Sequence, residues 1–170
     1  MDQQLLSKDW YVAYTFPRAE KKVCSTLEKM GVSSFLPMCN VLRKWSDRIK
    51  KISVPLFPNY VFVNINPVER HQVLKVDGLL RYVSFGGKPS TVSEKQIDSL
   101  KKMLAGEVEV SNEIYDRVGT PVIITSGPFA GIEGLFIRKN KKNRLVVQIA
   151  VLQKSVSVDI PSSSVMKLIR

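Results

Sequence analysis

Few residues in this chain could carry covalent or metal chemistry. The single histidine, His71, would need a positioned partner to act as a general base. As a metal ligand it would need companions, and the local sequence offers none. Cys24 and Cys39 stand 15 apart, and neither has a Cys-x-x-Cys neighbour. Cys24 adjoins an apolar stripe at Val23, so both thiols read as inert groups in or near a core. Gly127, Gly131 and Gly134 form neither a phosphate loop nor a dinucleotide fingerprint. No Gly-Lys-Ser/Thr ending and no helix follows them, and tight turns are the better use for them. An enzyme is therefore not expected, nor is a metal or cofactor.

Binding chemistry is better supplied. The stretch Arg43-Lys44-Trp45-Ser46-Asp47-Arg48-Ile49-Lys50-Lys51 holds five bases, one acid and a tryptophan. Cations reach phosphates and an indole offers a face to a base, so Arg43, Lys44, Trp45, Arg48, Lys50 and Lys51 are candidate nucleic-acid contacts. The plainer reading is a solvated hairpin whose tryptophan packs back onto a sheet. A weaker basic patch is Lys141, Lys142 and Arg144. The whole chain supports a polyanionic partner: 26 Lys and Arg against 15 Asp and Glu give a formal net charge of +11. A second set is apolar. Trp10, Tyr14, Phe16, Leu56, Phe57, Tyr60 and Phe62 are many large side chains for one small domain. Either all are core, or some form an exposed patch that fits a protein partner.

The elements that must position these residues follow from periodicity. Trp10–Tyr14 reads as a short strand. A helix from about Arg18 to Met30 has Ala19, Val23, Leu27 and Met30 on one stripe, Pro17 at its first position and Gly31 at its C-cap. A strand over Ser34–Val41 is interrupted by Pro37, and the basic tract follows as an exposed hairpin. Tyr60–Ile65 is a buried strand. Asn66, Pro67 and Glu69 have the spacing of a capping box for a second helix, which ends near Val76–Gly78. Leu79–Phe85 is a strand and Gly86–Pro89 a turn. Ser93 caps a third helix that buries Ile97, Leu100 and Leu104 beside Met103. The result is a small α/β sandwich with one sheet over residues 1–108.

The acidic, polar run Glu107–Asp116 is the best boundary, with 109–116 as linker and 117–170 as a second domain. The first part carries 17 bases and 10 acids and the rest nine bases and five acids, so both halves are basic. The second domain shows only strand signals: Pro121–Ile124, Gly134–Ile137, Arg144–Val151 after a turn at Asn140–Asn143, and an alternating Ser155–Ile160. Four or five short strands read as a small closed barrel. The β-branched run and the glycines oppose a helical alternative there. The mean hydropathy of -0.03, with no apolar run near the roughly 18 residues of a membrane span, fits a chain that folds in water. The first nine residues hold two acids and no apolar stretch, unlike a signal peptide. A reduced, cytoplasmic compartment fits the cysteines.

Four ordered landmarks carry a family resemblance. Trp10–Val23, reading WYVAYTFPRAEKKV, looks like the opening of a NusG N-terminal domain. Pro55–Val63, PLFPNYVFV, resembles that family's central strand signature, and Val83–Pro89, VSFGGKP, its next landmark. Gly119–Gly134, with Ser126–Gly134 as SGPFAGIEG, is similar to a KOW motif on an SH3-like barrel. The resemblance implies an α+β fold: a NusG N-terminal sandwich with one mainly antiparallel sheet, then an all-β KOW barrel.

It also implies a function. Members bind the clamp helices of the largest RNA polymerase subunit through an apolar patch, here Tyr14, Phe16, Leu56, Phe57 and Tyr60, and reduce pausing. RfaH-like paralogs also read the exposed non-template DNA strand, and nascent RNA is a further candidate. The barrel recruits Rho or ribosomal protein S10 in the general factor. The matching contact loop is Ala150–Ser155, with Val151, Leu152 and Lys154 as contacts. Leu152 stands where the general factor tends to have an aromatic, which counts against Rho. The whole resembles the paralogs attached to surface-polysaccharide operons in Bacteroides-like bacteria. A monomer off the polymerase and no membrane partner are expected. The alternatives are a housekeeping elongation factor and a ribosome-associated KOW protein that binds RNA.

Overall fold

The computed structural model describes residues 7–105, 111–113, 119–139 and 142–168. Its Cα trace divides into two compact units, Met1–Glu94 and Lys95–Arg170. The first holds β1 (Asp9–Thr15), α1 (Glu20–Lys29), β2 (Ser33–Phe35), β3 (Met38–Lys44), β4 (Ile49–Pro55), β5 (Tyr60–Ile65), α2 (Glu69–Val73), β6 (Leu79–Tyr82), β7 (Ser84–Phe85), β8 (Lys88–Pro89) and β9 (Thr91–Val92). Four strands run in the order β2-β5-β1-β6, with β9 also paired to β1. All five are antiparallel, and β1 and β5 are in direct register from Asp9↔Ile65 to Tyr14↔Tyr60.

The side-chain period of two sends Tyr11 and Ala13 of β1 to one face, with Val61, Val63 and Ile65 of β5. Val23 and Leu27 of α1 and Val73 beside Val76 close that core. Trp10 and Val12 point the other way and are also buried, as is Phe62. The central strands are thus apolar on both faces, which explains their unbroken hydrophobic sequence.

Local details refine the sequence reading. α1 begins at Glu20, because Pro17 and Arg18 form a turn and Arg18 takes a left-handed φ of 65°. Pro17 is therefore outside the helix rather than at its first position. Gly31 ends α1 as expected, with a φ of 72°. The capping box is present: Asn66 Oδ1 accepts from the amides of Val68 at 2.9 Å and Glu69 at 2.8 Å, and the Glu69 carboxylate accepts from Asn66 N–H at 3.0 Å. That backbone bond, with Lys8 beside it, holds the Glu69 carboxyl below the usual glutamate range. The expected strand Leu79–Phe85 is two pieces, β6 and β7, and the second forms its own small hairpin with β8.

The division falls after the first residue of α3 (Glu94–Ala105), whose Ile97, Leu100 and Met103 are buried while Leu104 is only half-buried. Then follow β10 (Ser111–Glu113), β11 (Thr120–Ile124), β12 (Glu133–Lys139), β13 (Lys142–Ile149), β14 (Lys154–Asp159) and β15 (Val165–Lys167). They form one antiparallel sheet in the order β10-β14-β13-β12-β11-β15. Of the expected linker 109–116, residues 111–113 are β10, paired to β14. Residues 109–110 and 114–116 lie outside the described residues, as does most of the expected boundary run.

One expectation for this unit changes. The serine–valine alternation over Ser155–Ile160 reads as a half-buried strand, but Ser155 and Ser157 are buried with Val156 and Val158, so β14 is covered on both faces. Of the basic patch Lys141, Lys142 and Arg144, the side chain of Arg144 is the one described. Arg144 gives its Nε to Asp159 Oδ1 at 2.9 Å and its guanidinium to Ser157 Oγ at 3.4 Å, while Lys141 lies outside the described residues. Gly134 is needed where β12 crosses close to β13. A Cβ there would lie 2.5 Å from the Val146 carbonyl oxygen and 2.9 Å from Leu145 Cδ1. Gly134→Ala should destabilise the β unit by about 2 kcal/mol through overpacking, read as a lowered urea midpoint in far-UV circular dichroism.

Candidate functional site

The first candidate surface lies where β1 ends and β5 begins. Thr15 N–H donates to Asn59 O and Phe16 N–H to Gly78 O, each at 2.9 Å, so the chain leaving β1 is tied to two neighbouring turns. Asn59 holds a left-handed φ of 70°, and its N–H donates to Glu20 Oε1 at 2.9 Å. Glu20 itself is buried. This carboxylate fixes the tight turn that reverses the chain into β5.

The turn decides which aromatic residues are available. Tyr14 and Tyr60 are direct cross-strand partners, both half-buried, with ring centroids 5.2 Å apart in an edge arrangement. Phe16, on the following turn, is 54% exposed. Leu56 and Phe57 are not on this surface. Leu56 is 2% and Phe57 0% exposed, and the Phe57 ring packs edge-on against Phe62 at 6.2 Å. Two of the five expected anchors are therefore core. The turn Phe57–Tyr60, closed by Tyr60 N–H to Phe57 O at 3.2 Å, points them inward.

The structure adds a residue the sequence reading did not pick. The Arg81 guanidinium sits 5.5 Å from the Tyr14 ring centroid, and Arg81 is the β6 partner of Tyr14. Its signal was weak, since Leu79-Leu80-Arg81-Tyr82 has no clean alternation and the β1–β6 register shifts beside it. Phe85 at the β7–β8 tip, the most exposed large apolar side chain described, was also missed.

The second candidate surface is the β3–β4 hairpin, a separate two-stranded sheet in register from Met38↔Pro55 to Lys44↔Ile49. Trp45 N–H donates to Arg48 O at 2.8 Å and closes its end. Arg43, Lys44, Trp45, Arg48, Lys50 and Lys51 are all exposed, Trp45 at 51%. Trp45 does not pack back onto the main sheet. Lys50 Nζ lies 5.8 Å from its ring centroid. Arg48 and Asp47 approach to 3.9 Å, a loose pair of exposed groups.

Residues 8–101 match the family described as "Transcription termination factor nusG". The chain belongs to the NusG family. It is 26% identical to the NusG of Thermotoga maritima in a structure titled "Domain interaction in Thermotoga maritima NusG", with a TM-score of 0.52 over 96% of this chain and 98% of that one. Two curated relatives carry the name "Transcription termination/antitermination protein NusG". The one from Rickettsia felis is 25% identical over 94% of this chain and 90% of its own. The one from Chlamydia trachomatis serovar D is 28% identical over 88% and 89%. The chain is thus a NusG-like transcription termination/antitermination factor with the expected α+β class, a sandwich followed by a β domain.

Other NusG candidates fall outside the two surfaces. In the loop after β13, Leu152 is 8% exposed and Gln153 takes a left-handed φ of 52°, so Leu152 points into the β unit. Val151 and Lys154 flank it half-exposed. Leu152 is thus a core residue rather than a contact. His71 is exposed on α2. Cys24 lines an open hollow of about 520 Å3 with Glu28, Val32 and Ser34, and burial pushes its thiol above the usual range. A thiol held protonated is a poor nucleophile. Among the described residues no three His, Cys, Asp or Glu side chains converge as metal ligands, and no helix is long and apolar enough to cross a membrane.

The buried carboxylate supplies a test of how the first surface is built. Glu20→Ala should cost about 2 kcal/mol, because Asn59 N–H loses a charged acceptor inside the protein. Glu20→Gln should cost less, since its amide oxygen still accepts. Urea titrations of the two variants, followed by far-UV circular dichroism, check the order.

Proposed function

We propose that this NusG-family chain binds the clamp helices of the largest RNA polymerase subunit through Tyr14, Phe16 and Tyr60, and suppresses pausing or termination. It acts without catalysis, as a cytoplasmic monomer when off the polymerase. The observation that carries the proposal is the pairing of an exposed Phe16 with the Tyr14–Tyr60 pair at one end of a rigid sheet. Aromatic anchors on a fixed frame bind a partner with little ordering cost. Arg81, stacked on Tyr14, adds a cation that suits an acidic rim on the partner. Leu56 and Phe57 contribute by holding the frame from beneath.

We further place this chain among the specialised RfaH-like paralogs that serve surface-polysaccharide operons. What supports this is the basic β3–β4 hairpin with its exposed indole, which suits a non-template DNA strand or nascent RNA. The loop at Leu152 also supports it. That side chain is aliphatic and turned inward, leaving Val151 and Lys154 for a barrel partner such as ribosomal protein S10, with Rho disfavoured.

Phe16→Ala and Tyr60→Ala should each weaken binding to purified RNA polymerase by roughly 30-fold, about 2 kcal/mol. Circular dichroism would confirm that the variants stay folded. Two folded variants with the parent's affinity would reject this surface.

A further inference from the structure

We infer that the β3–β4 hairpin is a one-sided reader of unpaired nucleic acid: a single strand lies on the face that carries Arg43, Trp45 and Lys50, and the opposite face takes no specific part. This rests on the proposed reading of the hairpin as a nucleic-acid contact and names both the face and the kind of strand.

The register separates four of the six candidates. Arg43 is directly opposite Lys50, while Leu42 is opposite Lys51 and Lys44 opposite Ile49. Because successive side chains alternate, Arg43 and Lys50 share one face with Cys39, Val41, Ile52 and Val54. Lys44 and Lys51 share the other with Asn40, Leu42, Ile49 and Ser53. The two faces differ in more than charge. On the first, Cys39, Val41, Ile52 and Val54 are half-buried, so that side is anchored at its base. On the second, Asn40, Leu42, Ile49 and Ser53 are all exposed.

The indole belongs to the first face. Its ring lies under Lys50 Nζ at 5.8 Å, two positions along the strand from Arg43. Trp45 remains half-exposed, so a base can stack on it while Arg43 and Lys50 hold the flanking phosphates. Arg43 and Lys50 have no carboxylate partner among the described residues. Directly opposed like charges destabilise a two-stranded ribbon, and a phosphate between them removes that penalty. The second face has two lysines interleaved with Leu42 and Ile49 and no ring to stack on. It offers only diffuse charge.

Unpaired nucleic acid follows from the same geometry. In a duplex the bases are stacked on each other and present their edges to a protein, so an indole gains nothing from stacking. A single strand exposes base faces beside its phosphates.

Two charge-matched pairs of substitutions separate the faces in the full-length protein. R43Q/K50Q and K44Q/K51Q each remove two cations from the same two strands. The probes are a fluorescein-labelled oligothymidylate and a duplex of equal length, titrated by anisotropy across a salt series. R43Q/K50Q should weaken single-strand binding by roughly tenfold or more and reduce the salt slope by about 1.4. W45A should weaken it by roughly tenfold at every salt concentration, since stacking releases no counterions. K44Q/K51Q should change it by less than about threefold, and the duplex should bind more weakly than the single strand. Equal losses from the two pairs, or a duplex bound as tightly as the single strand, would overturn the one-sided reading and leave the hairpin as a general polyanion contact. Parent affinity in all three variants, or no binding by the parent protein, would overturn both this inference and the hairpin's part in the proposed function.

Discussion

The buried Glu20 carboxylate, hydrogen-bonded to the Asn59 amide, is the constraint on which the first unit turns. A carboxylate taken out of water is costly unless it is well bonded. Here it caps a left-handed residue at the start of β5. Asn59 in turn accepts from Thr15, so one side chain at the start of α1 fixes the exit of β1 and the entry of β5 together. The pairing of Tyr14 with Tyr60 follows from that register, and so does the inward rotation of Leu56 and Phe57. An arrangement that looks like a cluster of aromatic residues is better understood as one polar clamp with rings around it.

That clamp also explains what could and could not be seen in the sequence. Helix signals were legible where local chemistry decides the outcome: Asn66 with Glu69 spells its own cap, and Gly31 its own stop. The interruption at Pro37 and the exposed basic hairpin were legible for the same reason. The facing of the aromatic residues was not. Leu56, Phe57 and Tyr60 lie within five positions, and nothing local tells which of them turns inward. The left-handed Asn59 sets it, and that conformation depends on a carboxylate 39 residues away. Ser155 and Ser157 misled in the opposite sense. Their alternation with valines suggests a solvent face, yet β14 is covered on both faces and buries the small polar side chains with the apolar ones. Leu152 was hidden by the left-handed Gln153 beside it.

The two candidate surfaces are built on different mechanical terms. Tyr14, Phe16 and Tyr60 sit at the end of a sheet whose central strands are buried on both faces. The hairpin stands apart as two strands with no third neighbour. A lone two-stranded ribbon is marginal in water, and this one gains support only from the half-buried residues at its base. A rigid surface suits a preformed protein partner. A ribbon suits a ligand whose own shape varies.

The flanks of the main sheet carry a further consequence. One edge is β2, only three residues long. The other flank of β1 is divided between the four residues of β6 and the two of β9. Long unpaired edges act as templates for intermolecular strand addition, and short or divided ones do not. The main sheet therefore displays aromatic side chains without also displaying a long row of free peptide groups, which in this unit is left to the β3–β4 ribbon. On that sheet stickiness is confined to side chains, where shape selects the partner, and its edges give a second copy of the chain little to zip onto. Resistance of the main sheet to edge-to-edge pairing is thus written into the lengths of its outermost strands.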